Sequence, residues 1–68
     1  MTIKVNRRVE CTTPRIFYFG LNLSDSYREG DLYLVTKELD GILFISDSQG
    51  EEFAFHKNDV EQFFSVAA

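Results

Sequence analysis

Sixty-eight residues make one domain, and a 44% hydrophobic share with seven Phe and three Tyr gives it the material of a compact core, which excludes a disordered chain. A single cysteine, Cys11, excludes an intrachain disulfide and a cysteine zinc cluster. The net charge of −4 is uneven: residues 1–28 hold five basic and two acidic side chains, residues 29–68 two basic and nine acidic. That split predicts either opposite charge on two faces of the domain or a solvated, mostly acidic surface.

The first residues, Met1 to Arg8, contain no apolar leader core, and no run approaches the ~18 apolar residues of a membrane span. The expectation is a cytoplasmic protein with no membrane partner. Ile3, Val5, Val9 and Cys11 share one parity while Lys4, Arg8 and Glu10 share the other, the period of a half-buried strand. Arg7 falls on the apolar parity and marks a bulge or a strand end. Pro14, which donates no ladder hydrogen bond, stops this strand after Thr12 and Thr13.

Residues 12–26 form a long loop whose centre is Ile16-Phe17-Tyr18-Phe19-Gly20. Three successive aromatics cannot all enter so small a core. Either the run is an extra strand or elaborated loop packed on the domain, or some of Phe17, Tyr18 and Phe19 form an exposed apolar patch for a partner. Ser24, Asp25 and Ser26 bring turn chemistry.

Beyond the Gly30-Asp31 break, Leu32 to Lys37 reads as a strand, and Glu38-Leu39-Asp40-Gly41 as a hairpin turn. Ile42 to Ser46 is continuously apolar until its end, which predicts a central strand buried on both sides. Asp47-Ser48-Gln49-Gly50 is a second turn, after which Phe53 and Phe55 point inward and Ala54 and His56 outward. Lys57-Asn58-Asp59 suits one 3₁₀ turn with Val60 as its inward anchor. Residues 62–66 read as the last strand of a small closed or half-open barrel, although Val60, Phe63 and Phe64 also carry the spacing of a 57–64 helix.

Val9-Glu10-Cys11, Tyr27-Arg28-Glu29-Gly30-Asp31-Leu32-Tyr33, Asp47-Ser48-Gln49-Gly50-Glu51-Glu52-Phe53 and His56-Lys57-Asn58-Asp59-Val60 follow one another in this order. In that series the chain resembles the small SH3-like barrel proteins found in bacteriophages and some bacteria, with Val60 where an aromatic is more usual. The resemblance implies an all-β fold: a five-stranded SH3-like barrel with a long aromatic loop after strand 1 and a short 3₁₀ turn before the last strand. Residues 1–68 are then one domain with 12–26 as its variable loop. The loop corresponds by position to the one that SH3-like domains often use for partners.

No constellation of catalytic chemistry stands out, so the chain reads as a non-enzyme with no cofactor and no metal. His56 has no nucleophile or oxyanion hole beside it in the pattern, though Asp59 is a candidate partner. Glu10 beside Cys11 raises rather than lowers a thiol pKa. The aspartates lack the spacing of a calcium loop, and the four glycines sit singly at turns rather than in a phosphate-binding pattern.

Two surfaces remain as candidates for protein binding. One is the aromatic run Phe17, Tyr18 and Phe19. The other is a set of carboxylates, Glu38, Asp40, Asp47, Glu51 and Glu52, which two hairpin tips are expected to bring close together, as a match for a basic groove. The phage resemblance implies a host protein as the partner, such as a CRISPR complex or a transcription component, in the host cytoplasm. A nucleic-acid-binding module using Lys4, Arg7, Arg8 and Arg15 is the alternative, opposed by the acidic net charge. A homo-oligomer burying the apolar loop is a third.

Overall fold

The computed structural model describes residues 3–67. In chain order it contains β1 (Arg8–Cys11), β2 (Phe17–Tyr18), β3 (Leu21–Asn22), β4 (Leu32–Leu39), β5 (Ile42–Ser46), β6 (Glu52–His56), a one-turn helix α1 (Lys57–Val60) and β7 (Phe64–Val66). Five strands form one antiparallel sheet in the order β6-β5-β4-β1-β7, while β2 and β3 make a separate two-stranded hairpin. No helix among the described residues is long and apolar enough to cross a membrane.

The first strand is shorter than the Ile3–Cys11 alternation predicts. Asn6 adopts φ 66°, and the Arg7 N–H donates to the Lys4 carbonyl at 3.3 Å, so the chain turns before the strand begins. The misfit at Arg7 marks that boundary. Val9 and Cys11 enter the core from β1, and Ile3 reaches it from the preceding segment.

β4 is the eight-residue strand that joins the two halves of the sheet. Its Leu32–Leu34 portion pairs with β1, and its Val35–Leu39 portion with β5. Between Val35 and Lys37 the register shifts, leaving Thr36 as the extra residue of a bulge. A bulge adds bend and twist to its strand. The bend lets one strand serve two differently oriented partners.

β5 corrects one expectation. Leu43 and Ile45 are buried, but Ile42 and Phe44 are only half-buried, so the strand has one inner face rather than two. On the outer face the Lys37 ammonium lies 4.5 Å from the Phe44 ring centroid and shields part of it. In β6, Phe55 is fully buried and Phe53 half-buried, on the inward parity the alternation assigns to both. The corner after β6 is a single α turn instead of 3₁₀. Its N-cap is His56, whose Nδ1 accepts from the Asn58 N–H at 3.1 Å, and Val60 is buried beneath it. The helix stops there, so the 57–64 helix does not form and Phe64 opens β7.

No ladder joins β6 to β7, so of the closed and half-open barrels that the strand spacing allows, the closed form is not made and the sheet stays open along this seam. The sheet is nonetheless strongly curled. In a flat sheet the end strands would lie roughly 19 Å apart, four spacings of about 4.8 Å. Here Phe55 of β6 and Phe64 of β7 bring their ring centroids to 5.5 Å. Side chains close the gap that hydrogen bonds leave open. Tyr27 sits at the centre of this closure, edge-on to Tyr33, Phe53, Phe55 and Phe64, and its hydroxyl donates to the Ile45 carbonyl.

Cys11 lies inside this core with no exposed surface, and its thiol donates to the Thr13 carbonyl at 3.3 Å. Burial pushes its pKa up, and the Glu29, Asp31 and Glu10 carboxylates add to the rise. Cys11 is therefore expected to resist iodoacetamide at neutral pH in the native protein and to react fully in denaturant. Rapid native labelling, followed by mass spectrometry, would contradict this placement.

Candidate interaction site

The aromatic run folds as a hairpin with two unlike faces. Phe17 pairs with Asn22 and Tyr18 with Leu21, and the Leu23 N–H donates to the Ile16 carbonyl at 2.8 Å. Directly paired residues share a face. Ile16, Tyr18 and Leu23 turn toward the core, whereas Phe17 stands 60% exposed on the other side. The hairpin thus packs on the sheet with one face, as the first reading has it, and leaves Phe17 and Phe19 exposed, as the second requires.

Tyr18 anchors the hairpin. Its ring packs against Phe55 and Phe63, with centroids 5.2 and 5.9 Å away. Its hydroxyl donates to Asp59 Oδ2 at 2.6 Å and accepts from the His56 N–H at 3.0 Å. Burial first, and then the bond to the Asp59 carboxylate, raises the Tyr18 pKa. Replacing Tyr18 with Phe keeps the ring and removes both bonds. Because the site is only half-buried, the loss expected is about 1 kcal/mol, or a melting temperature lower by roughly 4–8 °C in a domain of this size. Amide exchange at His56 should accelerate in the same variant; an unchanged rate would mean that Tyr18 is not the anchor.

The turn itself carries the unusual feature. Phe19 and Gly20 have φ 49° and 79°, so both central residues of this two-residue turn are left-handed. The β4–β5 turn is built the same way, from Asp40 at φ 51° and Gly41 at φ 80°. Asp tolerates this conformation because its short polar side chain bonds locally; a bulky side chain does not. At the equivalent position the β2–β3 turn has a phenylalanine, and its ring is 86% exposed. Leaving a Phe in water forgoes roughly 1.5–3 kcal/mol that burial would supply. Exposing both Phe17 and Phe19 forgoes an amount comparable with the ~3–5 kcal/mol that one core supplies to a chain this short. Leu21, 53% exposed, extends the same apolar tip.

The carboxylates are not brought together. Glu38 and Asp40 flank the turn at one end of β5, while Asp47, Glu51 and Glu52 flank the turn at the other. Consecutive hairpins that share a strand place their tips at opposite ends of it, here roughly 13 Å of strand apart. Asp47 is moreover 9% exposed, and its Oδ1 accepts from the Gln49 and Glu51 N–H groups at 2.9 and 2.8 Å. Its carboxylate builds the turn. Glu38, Asp40, Glu51 and Glu52 are exposed.

Lys4, Arg7, Arg8 and Arg15 are exposed as well, but two of them lie among acids. Lys4 borders a surface groove with Glu38 and Glu61, and Arg8 borders another with Asp31 and Asp47. Tyr18, one of the three aromatics available for base stacking, is turned inward. Among the described residues no group of three or more His, Cys, Asp or Glu side chains is arranged to hold a metal ion. His56 is engaged as a helix cap, and Asp59, its candidate partner in the sequence, receives the Tyr18 hydroxyl instead.

Comparison with protein-family models, curated proteins and solved structures finds no match to this chain.

Sequence reasoning did not pick out Asp59 as the hairpin's docking point, nor Leu21 as part of the exposed tip. A signal for the hairpin itself was present, since Ile16, Tyr18, Leu21 and Leu23 fall on one face about a two-residue Phe-Gly centre, but that pattern assigns Leu21 to the packed face and does not encode its 53% exposure.

Proposed function

We propose that this chain is a non-enzymatic protein-interaction module on an SH3-like scaffold, with the outer face of the β2–β3 hairpin as its binding element. The observation that carries the reading is Phe19, a large apolar side chain displayed to water in a backbone conformation that disfavours it. Strain and exposure at one residue both work against folding, and such features concentrate at functional sites. Aromatic side chains are also the commonest anchors of protein interfaces. The scaffold assignment is supported by the strand order, by the hairpin inserted between β1 and β4, and by the single helical turn before β7. The likeness to phage proteins makes a host protein, such as a defence effector or a transcription component, the partner of this proposal.

The test is affinity capture from the lysate of the cells in which the protein acts, with the wild type and Phe17→Ser as baits. Phe17 lies on the displayed face, so its loss leaves the packed face intact. A protein captured by the wild type and lost with Phe17→Ser supports the reading; identical captured sets overturn it.

A further inference from the structure

We propose that the free edge of β6 accepts an extended, basic segment of a partner protein as an added strand, an inference that rests on the protein-interaction reading and specifies how the partner's backbone is held. The direction of the backbone groups follows from the ladder. The Lys57 N–H donates to the Gly41 carbonyl at 2.9 Å, and the Asp47 N–H donates to the Glu51 carbonyl at 2.7 Å. Residues 51, 53, 55 and 57 therefore face β5, and Glu52, Ala54 and His56 direct their N–H and C=O groups to the open side. Tyr18 occupies the His56 N–H. No described residue bonds the outward backbone groups of Glu52 or Ala54.

This edge has a wall at one end and charge at the other. The β2–β3 hairpin docks at His56 through Tyr18, while Glu51 and Glu52 stand exposed at the start of the strand. Ala54 between them is exposed and offers only a methyl group, so a strand can approach the backbone without displacing a bulky side chain. Strand addition takes its affinity from main-chain bonds and its selectivity from neighbouring side chains. The two glutamates select Lys or Arg on the incoming segment. A second copy of this chain, carrying a net charge of −4 like the first, is a poorer electrostatic match.

The probe is an alternating valine–lysine heptapeptide, with its valine–glutamate counterpart as the charge control. Hydrogen exchange of the Glu52 and Ala54 amides is followed by NMR as each peptide is added. The lysine peptide should slow both amides by about tenfold at saturation, whereas the glutamate peptide should not. Glu52→Lys, an exposed change that leaves the core untouched, should weaken the first peptide and favour the second. Absence of protection, equal protection by both peptides, or a Glu52→Lys variant with unchanged preference would each overturn the inference. So would protection that rises with protein concentration alone, since a second copy would then fill the edge. The Phe17→Ser capture reports on the hairpin without the edge, and this titration reports on the edge without the hairpin, so either can fail separately.

Discussion

Phe19→Asn is expected to make the protein more stable and, on the proposed reading of the hairpin, to weaken its hold on a captured partner. Asn accepts the left-handed conformation that Phe19 holds at φ 49°, relieving a cost of roughly 1–2 kcal/mol for an ordinary L-residue. The variant loses the edge-on contact between Phe19 and Tyr18, whose centroids are 4.6 Å apart. Such a contact is worth about 0.5–1.5 kcal/mol, and with the Phe19 ring so exposed the lower end applies. The net gain expected is about 0.5–1.5 kcal/mol, or a melting temperature higher by several degrees. An aromatic anchor removed from an interface typically costs at least ~2 kcal/mol, about thirtyfold in affinity. The turn at Asp40 supplies the reciprocal test: Asp40→Phe, at φ 51° and with no ring contact to lose, should destabilise by the full backbone cost of roughly 1–2 kcal/mol. Calorimetric melts of both variants, with affinity for a captured partner, check the whole set. Unchanged affinity in Phe19→Asn would remove the hairpin tip from the interface, and a fall in its stability would make the Phe19 ring a structural contact.

The two turns also show what a sequence discloses. Asp40-Gly41 is legible as a hairpin because its residues carry the local chemistry the turn requires. Phe19-Gly20 makes the same backbone turn against its local chemistry, so pattern reading leaves it ambiguous, and the ambiguity coincides with the candidate site. The alternation of Phe53, Ala54 and Phe55 was readable for a similar reason: one face of β6 meets the core and the other meets water. Composition misled at β5, since a run of apolar residues does not reveal how much cover the rest of the chain can supply. With so few residues, the outer side of Phe44 has a lysine over it and stays only half-buried. The expected carboxylate cluster failed on topology, because hairpins that share β5 must end on opposite sides of it. The Tyr18–Asp59 bond joins residues 41 positions apart, a pairing that no local period encodes.

Alkaline pH should unfold this protein through Tyr27, with Tyr18 adding to the effect. Tyr27 has no exposed surface, and burial, followed by the charge of Asp47, raises its phenol well above the ordinary value of 10.0. Tyr18 is raised in the same direction. In the unfolded chain these groups release their protons near pH 10, while in the native protein they keep them. Above about pH 10 the unfolded state therefore binds fewer protons than the native one, and stability falls as pH rises. Below that pH the contribution is fully present. Melts followed by circular dichroism between pH 8 and pH 11.5, with phenolate absorbance recorded alongside, should show Tyr27 ionising only as the fold is lost. Tyr27→Phe should blunt this alkaline loss. At neutral pH it should cost about 0.5–1.5 kcal/mol for the bond to the Ile45 carbonyl, because that carbonyl keeps its place in the ladder opposite Phe53. Tyr27→Ala goes further: removing a large ring from the centre of a core costs about 3–5 kcal/mol. That equals the ~3–5 kcal/mol one core supplies to a chain of this length, so the variant should be largely unfolded at 25 °C. A cooperative Tyr27→Ala melt well above that temperature would show that the four rings around Tyr27 can close the sheet's open gap without it. An alkaline midpoint in Tyr27→Phe identical to the wild type would move the pH sensitivity to another group.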